Sequence, residues 1–387
     1  MPCRKSRAAL AIAVALLGVL PCPAPSCSLC SNRLAPTFRE EAAQSGARII
    51  LAGTLENARV AVAGGGTTDL RITDVLRKDD WLAGKSVVEL PRYLAISDTK
   101  NPPRFIVFCD VFKDRLDPYR GVPIKNATTV EYLKKAMALD PKDRLRNLLF
   151  FFDYLENADP EVARDAFLEF AKASDAEISQ VAAKLAPEKL REWIKNPQTP
   201  SDRLSLYALL LGACGGPADA DLLAAMLSDG SARSAESFDG LLGGYMRLKP
   251  REGWDLATST LREGKRKQDI RIAIMRTLRF YHNSQPDASR PNVIQAMTAV
   301  VQQGELADVA MEDLRQWKMW DLTPAILALY GRKGFESPIM QRAIVRYALT
   351  CTGRDDAKRF VAEQRKRDPE LFQEIEEWLK PESSPSK

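Results

Sequence analysis

Hydrophobic positions in this sequence follow mainly a two-residue period from Thr37 to about Lys125 and a helical period from Thr128 to Leu379. The clearest extended run is Arg104 to Phe112. There Phe105, Val107, Cys109 and Val111 share one face, while Ile106, Phe108 and Asp110 share the other. Apolar character on both faces predicts a strand covered on both sides. Ala47 to Leu55, Asp69 to Leu76 and Lys85 to Leu90 predict further strands. Thr37 to Ser45 predicts a short helix, with Thr37 as N-cap and Glu40 completing a capping box. Gly64-Gly65-Gly66 lacks the G-K-[ST] and the helix that a phosphate-binding loop needs, so it reads as a hairpin connection. Four or more strands and one helix within so short a stretch predict a small closed or nearly closed β-barrel.

After Lys125 the strand signals stop. Helices are predicted over Thr128 to Leu139, Lys142 to Glu156, Glu161 to Ala173 and Ala176 to Leu185, and helical periodicity continues to Leu379. Apolar helices align from starting points near Asp159, Ser201, Ala235, Asp269, Leu306 and Ser337, with spacings of 42, 34, 34, 37 and 31 residues. Val162 to Leu168, Val309 to Leu314 and Met340 to Val345 resemble HEAT-like helices, each with apolar residues one and two turns apart. That resemblance implies an α-solenoid whose stacked helices leave a long concave face for extended partners. The tetratricopeptide signature of Trp, Gly and Tyr is missing. The expected fold class is therefore α+β multidomain: an OB-like β domain over 27–125, a HEAT-like all-α solenoid over 126–380, and a disordered tail over 381–387.

The N-terminus changes the picture of where such a chain works. Arg4, Lys5 and Arg7 precede an unbroken apolar run from Ala8 to Leu20. Thirteen residues fall short of the roughly 20 that span a bilayer. Pro21, Pro23 and Pro25 end the run, and Ala24-Pro25-Ser26 offers small residues for cleavage before Cys27. Residues 1–26 are thus expected to be a signal peptide, and the chain to be exported to the periplasm, the cell envelope or the extracellular space. A cysteine directly after the cut also resembles a bacterial lipoprotein, which would tie the chain to a membrane through lipidated Cys27. Ala24 and Pro25 stand where that family favours Leu and a small residue, so ordinary secretion is preferred.

Composition narrows the chemistry. The 387 residues are 45% hydrophobic and 28% charged, the balance of a globular protein. Loss of residues 1–26 would leave 53 basic against 51 acidic positions, which gives no electrostatic case for nucleic acid. There is a single histidine, His282. A zinc site with two or more histidines is excluded, and a Ser-His or Cys-His hydrolase would have to use that one ring. At the end of its helix it is expected instead to act as a cation near the last carbonyls. Neither a metal nor a cofactor motif stands out.

Export would place the cysteines in an oxidising compartment. Cys27, Cys30 and Cys109 are the disulfide candidates, with Cys109 bridging to Cys30 or Cys27. Cys214 and Cys351, set among apolar residues, read as buried thiols. The C-x-x-C of Cys27 and Cys30 lacks the βαβ context of a redox site, and Ser31 stands where c-type haem attachment needs histidine. The order of this front region is cysteines, a short helix, Ala47 to Thr54, Arg71 to Lys78, Gly84 to Leu90 and Arg104 to Cys109. It resembles the exported OB-fold modules of the netrin-like group, which includes the tissue inhibitors of metalloproteinases. The resemblance implies an OB fold and makes Cys27 a candidate metal-chelating terminus acting on a protease.

Trp193, Trp254, Trp317 and Trp378 recur every 61 to 63 residues, about two repeats. Core or inter-repeat packing is the preferred reading of this spacing, and a ladder of stacked aromatics on a recognition surface is the alternative. Trp317 and Trp320 are the candidate partner-binding residues, with Trp320 expected to be exposed. The expected function is an exported, non-catalytic interaction or scaffold protein with a protein partner. The alternatives are a metalloprotease-inhibitor-like module acting through Cys27 and a hydrolase.

Overall fold

The computed structural model describes residues 35–61, 65–263 and 267–383. The expected signal peptide, Cys27, Cys30, Gly64 and Gly264-Lys265-Arg266 lie outside the described residues. Helix α1 (Phe38–Ala43) opens on the expected capping box. The Glu40 amide donates to the Thr37 hydroxyl and the Thr37 amide donates to the Glu40 carboxylate. Five strands follow: β1 (Ile49–Val60), β2 (Gly66–Arg77), β3 (Val87–Leu90), β4 (Arg104–Phe112) and β5 (Arg115–Pro123).

They form one antiparallel sheet in the order β3-β2-β1-β4-β5. The pattern of alternating residues does not reveal β5, because Pro118, Gly121 and Pro123 interrupt it. An edge strand tolerates proline, since one side of its ladder needs no donors, and the register shifts opposite Pro118. The edges β3 and β5 touch, but among the described residues no hydrogen-bonded ladder joins them. The architecture is thus α+β, an open antiparallel sheet followed by helices.

The helices are α2 (Thr128–Met137), α3 (Arg144–Phe152), α4 (Pro160–Ala171), α5 (Asp175–Ala182) and α6 (Pro187–Lys195). Next come α7 (Ser201–Cys214), α8 (Pro217–Ser228), α9 (Ala232–Glu236), α10 (Phe238–Leu248) and α11 (Pro250–Arg262). The last group is α12 (Gln268–Ser284), α13 (Pro286–Val301), α14 (Ala307–Gln316), α15 (Thr323–Leu327), α16 (Pro338–Thr350), α17 (Asp355–Arg367) and α18 (Pro369–Ser383). Many begin with proline in the first turn, where its missing N–H costs nothing. Helix α18 runs to Ser383, into the stretch expected as a tail.

The two faces of β4 separate as the alternation predicts. Val107 and Cys109 join Ile49, Leu51, Leu70 and Leu90 in a core that belongs to the sheet region alone. Ile106 and Phe108 join Ile50, Ala52 and Val122, and this second face runs on through Phe38 and Tyr132 into the helical core. The sheet and the helices therefore share apolar packing. Asp165 of α4 marks the seam: its carboxylate accepts from the Phe38 amide at 2.6 Å and the Tyr132 hydroxyl at 2.7 Å. Burial raises its pKa from 3.8 to about 7, against the pull of those two donors.

Helix starts fall at or near the expected repeat points: Asp159 and Ser337 are N-caps, Ser201 opens α7, and Leu306 precedes α14. Polar ties recur at one separation. Ser205 donates to Asp239, Arg271 to Glu305 and Arg279 to Asp313, each across 34 residues. Between α7 and α10 the backbones nearly touch: a Cβ on Gly244 would lie 2.1 Å from the Ala208 carbonyl oxygen.

Candidate functional site

The helical spacing of α16 puts Ile339, Arg342, Ala343 and Arg346 on one face, at positions i, i+3, i+4 and i+7. That face meets Val309, Glu312 and Asp313 of α14 on one side and Ile375 and Trp378 of α18 on the other. Together they enclose a groove of about 490 Å³, with Arg279 of α12 at one end. Below it, Val345, Phe372 and Ile375 form a small core joining α16 to α18. Two large apolar side chains of the groove are left in solvent: Ile339 is 67% exposed and Trp378 57%. A single exposed apolar residue needs no explanation, but an aromatic and a branched aliphatic side chain on one concave surface do.

The groove walls are held by paired charges. Arg279 donates from Nε to both carboxylate oxygens of Asp313 at 2.9 Å. Burial raises the Asp313 pKa while Arg279 pulls it down. Burial also pushes Glu312 upward, but hydrogen bonds from Arg315 and Gln316 outweigh it and hold the carboxyl below its ordinary value. Arg342 reaches Glu374 at 3.1 and 3.2 Å, and Arg346 lies 3.6 Å from Glu312. Both signs therefore line an apolar floor. Such a surface grips an apolar side chain and offers polar contacts to the backbone beside it.

The residues expected to bind a partner lie elsewhere. Trp317, the C-cap of α14, stacks on His282 with ring centroids 4.2 Å apart. Trp320 meets Tyr347 edge-on at 5.0 Å and lines an open cavity of about 770 Å³ with Arg315, Lys318 and Thr350. Both are half-buried against the main core, so the exposure expected for Trp320 is met only in part: Tyr347 packs against its ring, which also lines that cavity. Trp193 packs between Phe152 and Tyr207, and Trp254 against Tyr281. Of the four evenly spaced tryptophans, Trp378 is the one that faces solvent. Periodicity hides this, because it assigns all four one role. What distinguishes Trp378 is its exposure on α18.

His282 also departs from expectation. Burial, together with the nearby Arg290 charge, lowers its pKa and so favours the neutral ring. It stacks on Trp317 in place of the expected cationic role at the helix end. Its Nδ1 is buried without a hydrogen-bond partner among the described residues.

The chain matches no known family, curated protein or solved structure. Cys109 is fully buried in the sheet core, where burial pushes its thiol up to about 12. Both of its expected disulfide partners, Cys27 and Cys30, lie outside the described residues. Cys351 is buried and Cys214 half-buried, in keeping with their apolar settings. The basic run Arg365-Lys366-Arg367 occupies the last turn of α17, where Arg365 pairs with Glu376 and Arg367 with Glu363. Among the described residues no group of three or more His, Cys, Asp or Glu side chains converges on a metal-sized site. No helix among them is long and apolar enough to cross a membrane.

Proposed function

We propose that this chain is an exported, non-catalytic interaction protein that holds a protein partner in the groove between α14, α16 and α18. The joint exposure of Ile339 and Trp378 on that concave surface carries the reading. The partner presents an apolar side chain to the floor, flanked by groups that pair with the arginines and carboxylates of the walls. A HEAT-like solenoid behind an OB-like module is the architecture that serves this role. Support for the solenoid comes from helix starts near six repeat points and from polar ties that recur across 34 residues. Support for the OB-like module comes from the strand order, with β1 between β2 and β4, and from contact between the edge strands. Export rests on the basic start, the short apolar run and the small residues before Cys27.

The test is a quantitative pulldown from the native compartment with the wild-type chain and the double variant Ile339→Ser, Trp378→Ser. A stoichiometric protein recovered by the wild type and depleted at least tenfold by the variant is the expected outcome. An unchanged set of recovered proteins overturns the reading. N-terminal sequencing of the same material tests export, which predicts a chain lacking residues 1–26.

A further inference from the structure

A second cavity, of about 330 Å³, lies where α1 and the end of β2 meet α3 and α4. Four cations line it: Arg39 of α1, Arg77 of β2, Arg144 of α3 and Lys172, the C-cap of α4. They face two carboxylates, Glu40 and Glu169. Glu40 is engaged, since it caps α1 and pairs with Lys172. Arg77 is also engaged, donating to the Ala47 carbonyl at 2.9 Å and to the Ala42 carbonyl.

Arg39 is not so satisfied. Its side chain is only 13% exposed, and its Nη1 is buried without a hydrogen-bond partner among the described residues. The nearest carboxylate oxygen, on Glu169, stands 3.9 Å away, too far for a hydrogen bond. Arg144 approaches the same oxygen at the same 3.9 Å, while its Nε donates to Glu177 at 3.1 Å. Burial raises the pKa of Glu169, with Arg39 and Arg144 opposing. A guanidinium donor buried without an acceptor is costly, and an oxyanion meets that need with charge-assisted bonds.

We propose that this cavity binds a small oxyanion carrying two negative charges, of phosphate or dicarboxylate size, between Arg39 and Arg144. The anion accepts from the orphaned Arg39 Nη1 and offsets the excess of cations. It thereby links α1 to α3 and α4 across the seam between sheet and helices. The site is separate from the partner groove and does not depend on it.

Isothermal titration of the full exported chain with inorganic phosphate and, separately, with succinate tests this at constant ionic strength set by chloride. One-site saturable binding of at least one anion is expected, and the preferred anion assigns phosphoryl or carboxylate chemistry. Arg39→Gln and Arg144→Gln should each weaken binding about tenfold or more, whereas Arg332→Gln leaves it unchanged. Arg144 is one-third exposed, so its variant keeps the test available if Arg39→Gln fails to fold. Absence of saturable binding to either anion overturns the proposal. So does undiminished binding in a folded Arg39→Gln or Arg144→Gln chain.

Discussion

The seam between sheet and helices and the far end of the helical array treat their aromatic residues in opposite ways. At the seam, Phe38, Phe108, Tyr132 and Phe151 pack against one another, with Phe38 6.4 Å from both Phe108 and Tyr132 and Tyr132 6.2 Å from Phe151. At the far end, α18 buries Phe372 and Ile375 but leaves Trp378 in solvent beside Ile339. The first arrangement is what binds two regions into one folded unit. The second leaves apolar area whose burial by a partner would be favourable. On the proposed reading, packing and recognition are separated along the chain, and each end responds to substitution in its own way.

The largest effect is expected at the seam. Phe108→Ala removes a fully buried ring that contacts Phe38, and should cost about 3–5 kcal/mol. Urea unfolding followed both by circular dichroism of the helices and by a probe in the sheet should show both signals moving together. Independent transitions would mean that the shared packing does not couple the regions.

Asp165 adds a pH dependence at the same place. Its folded pKa, about 7, lies above the ordinary 3.8. The folded chain therefore holds this proton more tightly than the unfolded chain. The resulting stability is fully present below about pH 4, declines as pH rises through 7, and is flat above that. The span corresponds to roughly 4 kcal/mol at most. Asp165→Asn removes the charge and should flatten the decline, as read from urea midpoints between pH 4 and 8. A slope equal to that of the wild type would contradict the assignment.

Gly244→Ala tests the helical array away from both ends. The added methyl meets the Ala208 carbonyl oxygen at 2.1 Å, so α7 and α10 must separate, at a cost of about 1–3 kcal/mol. A thermal midpoint equal to that of the wild type would show that this approach is not tight. The smallest effect on stability belongs to the groove. Ile339→Ser and Trp378→Ser each remove solvent-facing apolar area and should change stability by about 0.5 kcal/mol or less.

Much of this arrangement was legible in the sequence where the physics is local. Alternation along Arg104 to Phe112 assigned each side chain to its face, and the Thr37–Glu40 pair marked the start of α1. Helix starts near the six repeat points followed from caps and apolar stripes. What escaped was either masked or non-local. Pro118 and Pro123 hid β5, because edge strands escape the usual cost of proline. The merging of one sheet face with the helices depends on contacts such as Phe38 to Asp165, 127 residues apart, which no local pattern encodes. Equal spacing makes four tryptophans look alike, although of the four Trp378 is the exposed one. His282 looked like a cation at a helix end until Trp317 and Arg290 were brought beside it in space.

The claim that the far end is the recognition surface can be tested at single-residue resolution. A photo-crosslinking amino acid placed at position 378 should capture the partner in the native compartment, while the same group at exposed position 60, on strand β1, should not. Capture from position 60 and none from position 378 would contradict the account.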